Sequence, residues 1–174
     1  MWTTMDSPVG ALRIIANQTA ITAVEFAGPK AVSASDHSSV NRAAAVSAGR
    51  PVGDRDDANT LLVEAVRQLR AYFDRELKEF DLPLAPTGTD FQQSVWEQLR
   101  LIGYGETVSY GDIATRLGKS LAASRAVGLA NGSNPIAIVV PCHRVVGANG
   151  TLTGYGGGVE RKQILLELEQ DALF

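Results

Sequence analysis

Three short runs near the start of the chain, residues 2–5, 12–16 and 21–26, are apolar and rich in β-formers. Asp6-Ser7-Pro8-Val9-Gly10 and Asn17-Gln18 separate them with turn chemistry, so the pattern predicts a three-stranded antiparallel meander. From residue 60 the period changes. Leu62, Ala65, Val66, Leu69, Tyr72 and Phe73 recur every three or four positions, which predicts a helix capped by Asn59 or Thr60 and running to about residue 77. Phe91, Val95, Trp96, Leu99 and Ile102 form a second stripe, and Thr89 to Gln92 has capping-box spacing at its start. Ser109 to Asp112 repeats that spacing and opens a short helix that stops at Gly118. Ser120 is the expected cap of a third helix, about residues 121–131, ended by Gly132. The apolar run 136–140 reads as a buried strand stopped by Pro141, which lacks a backbone donor. A last helix, 159–169 or slightly longer, turns Ile164, Leu165 and Leu168 inward, with Glu169 at the edge of that face and Glu167 further round.

These elements give an α+β fold. Residues 1–82 form a small sheet-plus-helix domain, 83–88 an extended Pro-rich linker, and 89–174 a mostly helical winged-helix/helix-turn-helix domain. Residues 28–58, rich in Ala, Ser, Gly, Asp and Arg, read as a long loop, and His37 as a solvated loop residue.

Apolar content of 45% fits an ordinary globular chain, and no run approaches the length of a membrane span. The N-terminus lacks the basic and apolar regions of a signal peptide, and one cysteine excludes a disulfide framework and a Cys-rich zinc site. A free thiol suits a reducing compartment, so the expected location is cytoplasmic. The net charge of −3 sets no basic footprint, and neither half of the chain is basic. A nucleic-acid partner would therefore have to bind a local patch with help from helix N-termini.

The candidate chemistry sits behind Pro141. Cys142 is the only cysteine and His143 one of two histidines. Neighbours in a straight strand face opposite ways, so the two can serve one site only where the chain bends. Arg144 adds positive charge, which would favour thiolate. A lone cysteine is more often a small buried hydrophobe, and Pro, His and Arg around it weigh against that here. Residues 121–131 carry small side chains almost throughout, with Arg125 the one long probe. Such a surface suits either tight helix packing or a minor groove, which is only about 6 Å wide. The run 153–158 is Gly-rich but has neither the phosphate-loop nor the dinucleotide spacing.

Seven blocks in order resemble the O6-alkylguanine-DNA alkyltransferases. They are Phe91 with Trp96, Tyr104-Gly105-Glu106-Thr107-Val108-Ser109-Tyr110, Ala123-Ser124-Arg125-Ala126-Val127-Gly128, Asn134-Pro135, Pro141-Cys142-His143-Arg144-Val145, Gly154-Tyr155-Gly156-Gly157-Gly158 and Glu169. The resemblance covers about residues 89–169 closely, and the first half only in layout. It implies a DNA repair protein that moves the alkyl group from O6 of guanine to Cys142, once per molecule. His143 would be the base acting through a water and Glu169 the acid that orients it. Tyr110 is similar to the tyrosine that crowds the flipped nucleotide's phosphate, and Arg125 to the arginine that fills the vacated stack. Asn134 matches the asparagine beside the active-site turn, and Val145 and Tyr155 match positions that shape the guanine pocket. Gln92 and Ser120 match phosphate contacts, with helix capping an equal reading for both. Gly103 stands where relatives often have proline.

The implied partner is double-stranded DNA carrying O6-alkylguanine, and less well O4-alkylthymine; no cofactor, metal or membrane is expected. The chain is expected to act as a monomer, with cooperativity on DNA left open. Three other readings compete. An alkyl-base-binding module of the same fold has tryptophan in place of the cysteine. A thiol hydrolase would need a water-activating cleft beyond the Cys142–His143 pair. A winged-helix transcription factor would make Cys142 structural.

Overall fold

A computed structural model describes residues 1–27, 53–152 and 154–171. Residues 28–52, including His37, and Thr153 lie outside the described residues. Strands β1 (Trp2–Met5), β2 (Leu12–Ala16) and β3 (Ile21–Phe26) form the expected antiparallel meander, in the order β1-β2-β3. Its register pairs Thr3 with Ile14 and Ile14 with Val24. Residues 53–56, read as the end of a loop, run beside β1 instead: Trp2 N–H donates to Asp54 O at 3.1 Å and Asp56 N–H to Trp2 O at 2.9 Å.

Helix α1 (Thr60–Phe73) lies on the sheet and buries Leu62, Ala65, Gln68, Leu69 and Tyr72. The Asn59 side chain accepts from Leu61 and Leu62 N–H, as an N-cap should. The helix ends four residues earlier than its apolar period predicts. Arg75 adopts a left-handed φ of 63°, and the N–H groups of Arg75 and Glu76 return to Tyr72 O (3.1 Å) and Ala71 O (2.8 Å). That is a Schellman closure with arginine in the place usually held by glycine, so composition did not announce it.

The Pro-rich stretch after it is extended and lies against the free edge of β3. Ile21 N–H donates to Pro83 O at 2.8 Å and Ala85 N–H to Ile21 O at 2.9 Å. Further along the same strand, Val24 exchanges bonds with Pro135 O (3.0 Å) and Ala137 N–H (3.1 Å). The edge of β3 is thus covered by backbone that leads directly to Cys142. One apolar core runs from Leu12, Ile14 and Leu69 through Trp96, Leu99 and Ile113 to Ile136 and Leu165.

In the second half, α2 (Asp90–Arg100) begins with the predicted Thr89–Gln92 capping box, and α3 (Tyr110–Arg116) with the Ser109–Asp112 box. A two-residue strand β4 (Val108–Ser109) precedes α3 and pairs in parallel with β5 (Val145–Val146), directly after the cysteine turn. Gly118, at φ 71°, closes α3 and frees the chain for the next helix. That next helix is not continuous from residue 121. Leu121–Ala123 is a 3₁₀ turn, and α4 (Ser124–Gly132) follows with Gly132 inside it. Ser120 holds the cap position but its side chain caps nothing. The last helix, α5 (Val159–Asp171), turns Leu165 and Glu169 fully inward, while Ile164, expected inside, is 39% exposed.

Candidate active site

The run before Pro141 is buried as predicted but is not a strand. Only Ile136 makes a bridge, to Val24; beyond it Val139 N–H returns to Ala137 O (2.8 Å) and Val140 N–H to Ile136 O (3.0 Å). Ile138 takes a left-handed φ of 71°, a costly state for a β-branched residue. Asn134 holds this coil from within. Its amide accepts from Ile136 N–H at 3.0 Å and donates to Val140 O at 2.8 Å. Local side-chain bonds of this kind displace the strand ladder that apolar content alone suggests.

Pro141 then leads into a 3₁₀ turn, Cys142–Arg144, whose three residues are all buried. The bend supplies what a strand could not, two adjacent side chains serving one interior. His143 is 0% exposed, and its Nε2 lies 2.7 Å from Oε1 of Glu169 on α5. Its other nitrogen, Nδ1, is buried with no protein partner. Burial lowers the His143 pKa against the pull of Glu169, so the resting ring is neutral. Its partners then assign the tautomer: Nε2–H donates to the carboxylate, and Nδ1 carries the lone pair.

Glu169 is the hub. Besides His143 it accepts from Arg144 Nε (3.0 Å) and Nη2 (2.9 Å), from the Tyr72 hydroxyl (2.8 Å) and from Gly105 N–H (3.3 Å). Burial alone would raise its pKa, but the hydrogen bonds and charges of His143 and Arg144 outweigh it and hold the carboxyl at about 2. Arg144 is therefore not the thiol's counter-charge, as its position in sequence suggested. Its guanidinium is committed to Glu169 and, through Nη1, to Ile102 O at 2.7 Å. The charge near the thiol comes from Lys162 of α5, which is fully buried and donates to Val145 O at 2.6 Å. Burial brings Lys162 down to about 8.

Burial also raises the Cys142 pKa, with the Asn134 amide, Lys162 and the Tyr155 hydroxyl pulling it back only in part. The resting group is thus a thiol. The positive charge that favours thiolate does not overcome this burial, so the thiol needs a base before it can act as a nucleophile. Tyr155 stands beside the thiol on the Gly-rich segment, its ring edge-on to Phe26 of β3 at 6.0 Å. Gly157 makes that approach possible, since a Cβ there would meet the Phe26 ring at 2.5 Å. Val145 is buried in β5, its N–H donating to Cys142 O and its carbonyl accepting from Lys162.

The remaining predicted residues lie on a different face. Arg125 projects from α4 with Leu121, Ala122, Ala126, Leu129 and Gly132 exposed around it, a smooth surface with one charge. Beneath it, the Asn131 amide donates to Cys142 O at 3.3 Å, tying α4 to the cysteine turn. Tyr110, in the first turn of α3, is half-buried against Gly128 of α4. Gln92 is occupied: Oε1 accepts from Thr89 N–H and Nε2 donates to Ser133 Oγ at 3.1 Å. Ser120 is exposed and has no capping bond. Gly103, the departure noted above, donates its N–H to Glu106 at 3.1 Å, a bond that proline could not make.

Residues 1–86 match the 6-O-methylguanine DNA methyltransferase, ribonuclease-like domain, and residues 90–171 the 6-O-methylguanine DNA methyltransferase, DNA binding domain. The chain belongs to the 6-O-methylguanine DNA methyltransferase family. A methylated-DNA–protein-cysteine methyltransferase of Mycobacterium tuberculosis is 66% identical over 106 residues, 61% of this chain and 64% of that protein. The aligned stretch thus spans slightly less than two thirds of that relative. In structure, Mycobacterium tuberculosis O6-methylguanine methyltransferase superposes with a TM-score of 0.80 and 46% identity, covering 98% of this chain and 93% of the other. Mycobacterium tuberculosis OGT in complex with DNA gives 0.81 at the same identity and coverage. No helix among the described residues is long and apolar enough to cross a membrane.

Proposed function

We propose that this protein takes the alkyl group from O6 of an alkylated guanine in double-stranded DNA onto Cys142, irreversibly and once per molecule, and less readily from O4 of an alkylated thymine. The observation that carries this reading is the His143 ring, next in sequence to Cys142 in one buried turn, with Nε2 bonded to Glu169 and Nδ1 buried without a protein partner. Nδ1 takes the thiol proton through one water. The thiolate attacks the alkyl carbon in line, the S–C bond forms and the C–O6 bond breaks. The electron pair returns to the guanine, which takes back the thiol's proton from the imidazolium through the water and stays in the strand as the ordinary base. Glu169 holds the imidazolium formed on the way. A thioether is a poor leaving group, so the chain is spent. A reducing cytoplasm suits a reagent that must keep its one thiol.

The target atom is inside a base stack, so the nucleotide is flipped from the minor-groove side into the pocket of Val145 and Tyr155. The smooth exposed face of α4 suits a minor groove, and Arg125 is the group long enough to fill the gap left behind. Tyr110 at the start of α3 crowds the turned phosphate. Ser120 is free for a phosphate contact, whereas Gln92 would have to leave its cap to make one. The protein works as a monomer.

The test is an intact mass after mixing with a duplex carrying one O6-methylguanine. The expected result is one methyl group per chain, mapped to Cys142, with uptake stopping at one equivalent. An unchanged mass despite tight binding would sink the transfer reading. Arg125→Ala should slow uptake from duplex DNA by about 10- to 100-fold, a flipping cost of a few kcal/mol, and leave uptake from a single strand nearly unchanged. Equal loss on both substrates would refute a stack-filling role.

A further inference from the structure

Tyr72 belongs to α1, in the half of the chain that carries no part of the cysteine segment. It is fully buried, and its ring sits among Phe73 (5.2 Å), Phe80 (5.5 Å) and Tyr104 (6.2 Å). Its hydroxyl donates to Oε1 of Glu169 at 2.8 Å, the same oxygen that receives His143 Nε2 at 2.7 Å. A buried hydroxyl is costly unless it finds a partner. Here the partner is the carboxylate that orients the base. Tyr72, His143 and Arg144 all donate to that oxygen and divide its charge, and Tyr72 holds it from the side of α1.

We propose that Tyr72 is a positioning residue for the transfer reaction: through Oε1 of Glu169 it sets the orientation of His143 and the share of carboxylate charge its ring feels. This rests on the alkyl-transfer reading of the same site. The other groups facing these residues are Arg144 from the turn, Lys162 from α5 and Tyr104 from the loop before β4. None of the nitrogens among them touches Oε1 except those of Arg144. Tyr72 stays a donor at every working pH, because burial and then the charge of Glu169 push its own ionisation far up.

Removing the hydroxyl leaves more charge on Oε1 for His143, so the imidazolium becomes easier to form. In Tyr72→Phe the His143 titration, followed by NMR of the imidazole nitrogens, should move to higher pH. The chain has only two histidines, so the signals are separable. The acid limb of the single-turnover pH–rate profile should move the same way, and the plateau rate should fall by about tenfold, as for the loss of one hydrogen bond to a charged group. Phe80→Leu disturbs the same packing without touching the bond and should leave the titration in place. An unmoved titration in Tyr72→Phe, or an equal move in Phe80→Leu, overturns the proposal. The titration needs no DNA, so it decides the coupling even where wild-type protein takes up no methyl group and the transfer reading fails.

Discussion

Cys142→Ser is expected to take up no detectable methyl group from an O6-methylguanine duplex while still binding it. The side chain is 5% exposed, and serine is smaller, so the exchange fits the site without displacing its neighbours. The chemistry does not survive it. Burial already holds the thiol above its ordinary pKa, and a hydroxyl in the same place is far harder to ionise. A neutral imidazole such as His143 can take a proton from a thiol at little cost, but not from an alcohol unless an oxyanion-stabilising reaction follows. The proposed DNA contact lies on α4, whose exposed face includes neither Cys142 nor His143, so affinity for the lesion should remain. Intact mass and a gel shift on the same sample check both halves. Methyl uptake by the serine variant, mapped elsewhere, would show that the alkyl acceptor is another residue.

What could be read along the chain was what local chemistry controls. The Asn59 cap and the Thr89–Gln92 and Ser109–Asp112 boxes are short-range devices, and each is formed. The meander follows from period and turn residues in the same way. The errors arise where a distant or unusual local bond overrides the pattern. Residues 136–140 have a strand's composition, but Asn134 and the backbone of β3 coil them. Arg144 follows the cysteine in sequence, yet its guanidinium turns to α5. Ile164 lies out of line because Lys162, Leu165 and Glu169 form the inward face, three and four residues apart. That period was present, but a lysine is rarely counted as buried, so it did not register. Tyr72 was placed correctly in an apolar stripe. Nothing local could show that its hydroxyl bonds to an acid 97 residues away.

That acid is where the second large effect is expected. Glu169→Ala should cost about 3–5 kcal/mol of folding stability, because it leaves the buried Arg144 guanidinium without its counter-charge and orphans the Tyr72 hydroxyl. It should also slow methyl transfer by about 10³-fold or more, since His143 loses the partner that fixes its tautomer and holds its charge. Glu169→Gln keeps the shape and separates the two consequences. It should refold more readily than the alanine variant yet remain nearly as slow, because an amide cannot hold an imidazolium. The same carboxylate predicts how wild-type stability depends on pH. Its pKa is about 2 in the folded chain against an ordinary 4.5, so the folded state favours the ionised form. The stabilisation is complete above pH 4.5 and drains away as pH falls toward about 2. The difference corresponds to about 3 kcal/mol. Denaturant melts between pH 7 and 2 should show this acid-side loss in wild type and a flatter curve in Glu169→Gln, where the group that titrates is gone. Parallel curves would mean that other carboxylates govern the acid limb and that Glu169 is less firmly ionised than its donors imply.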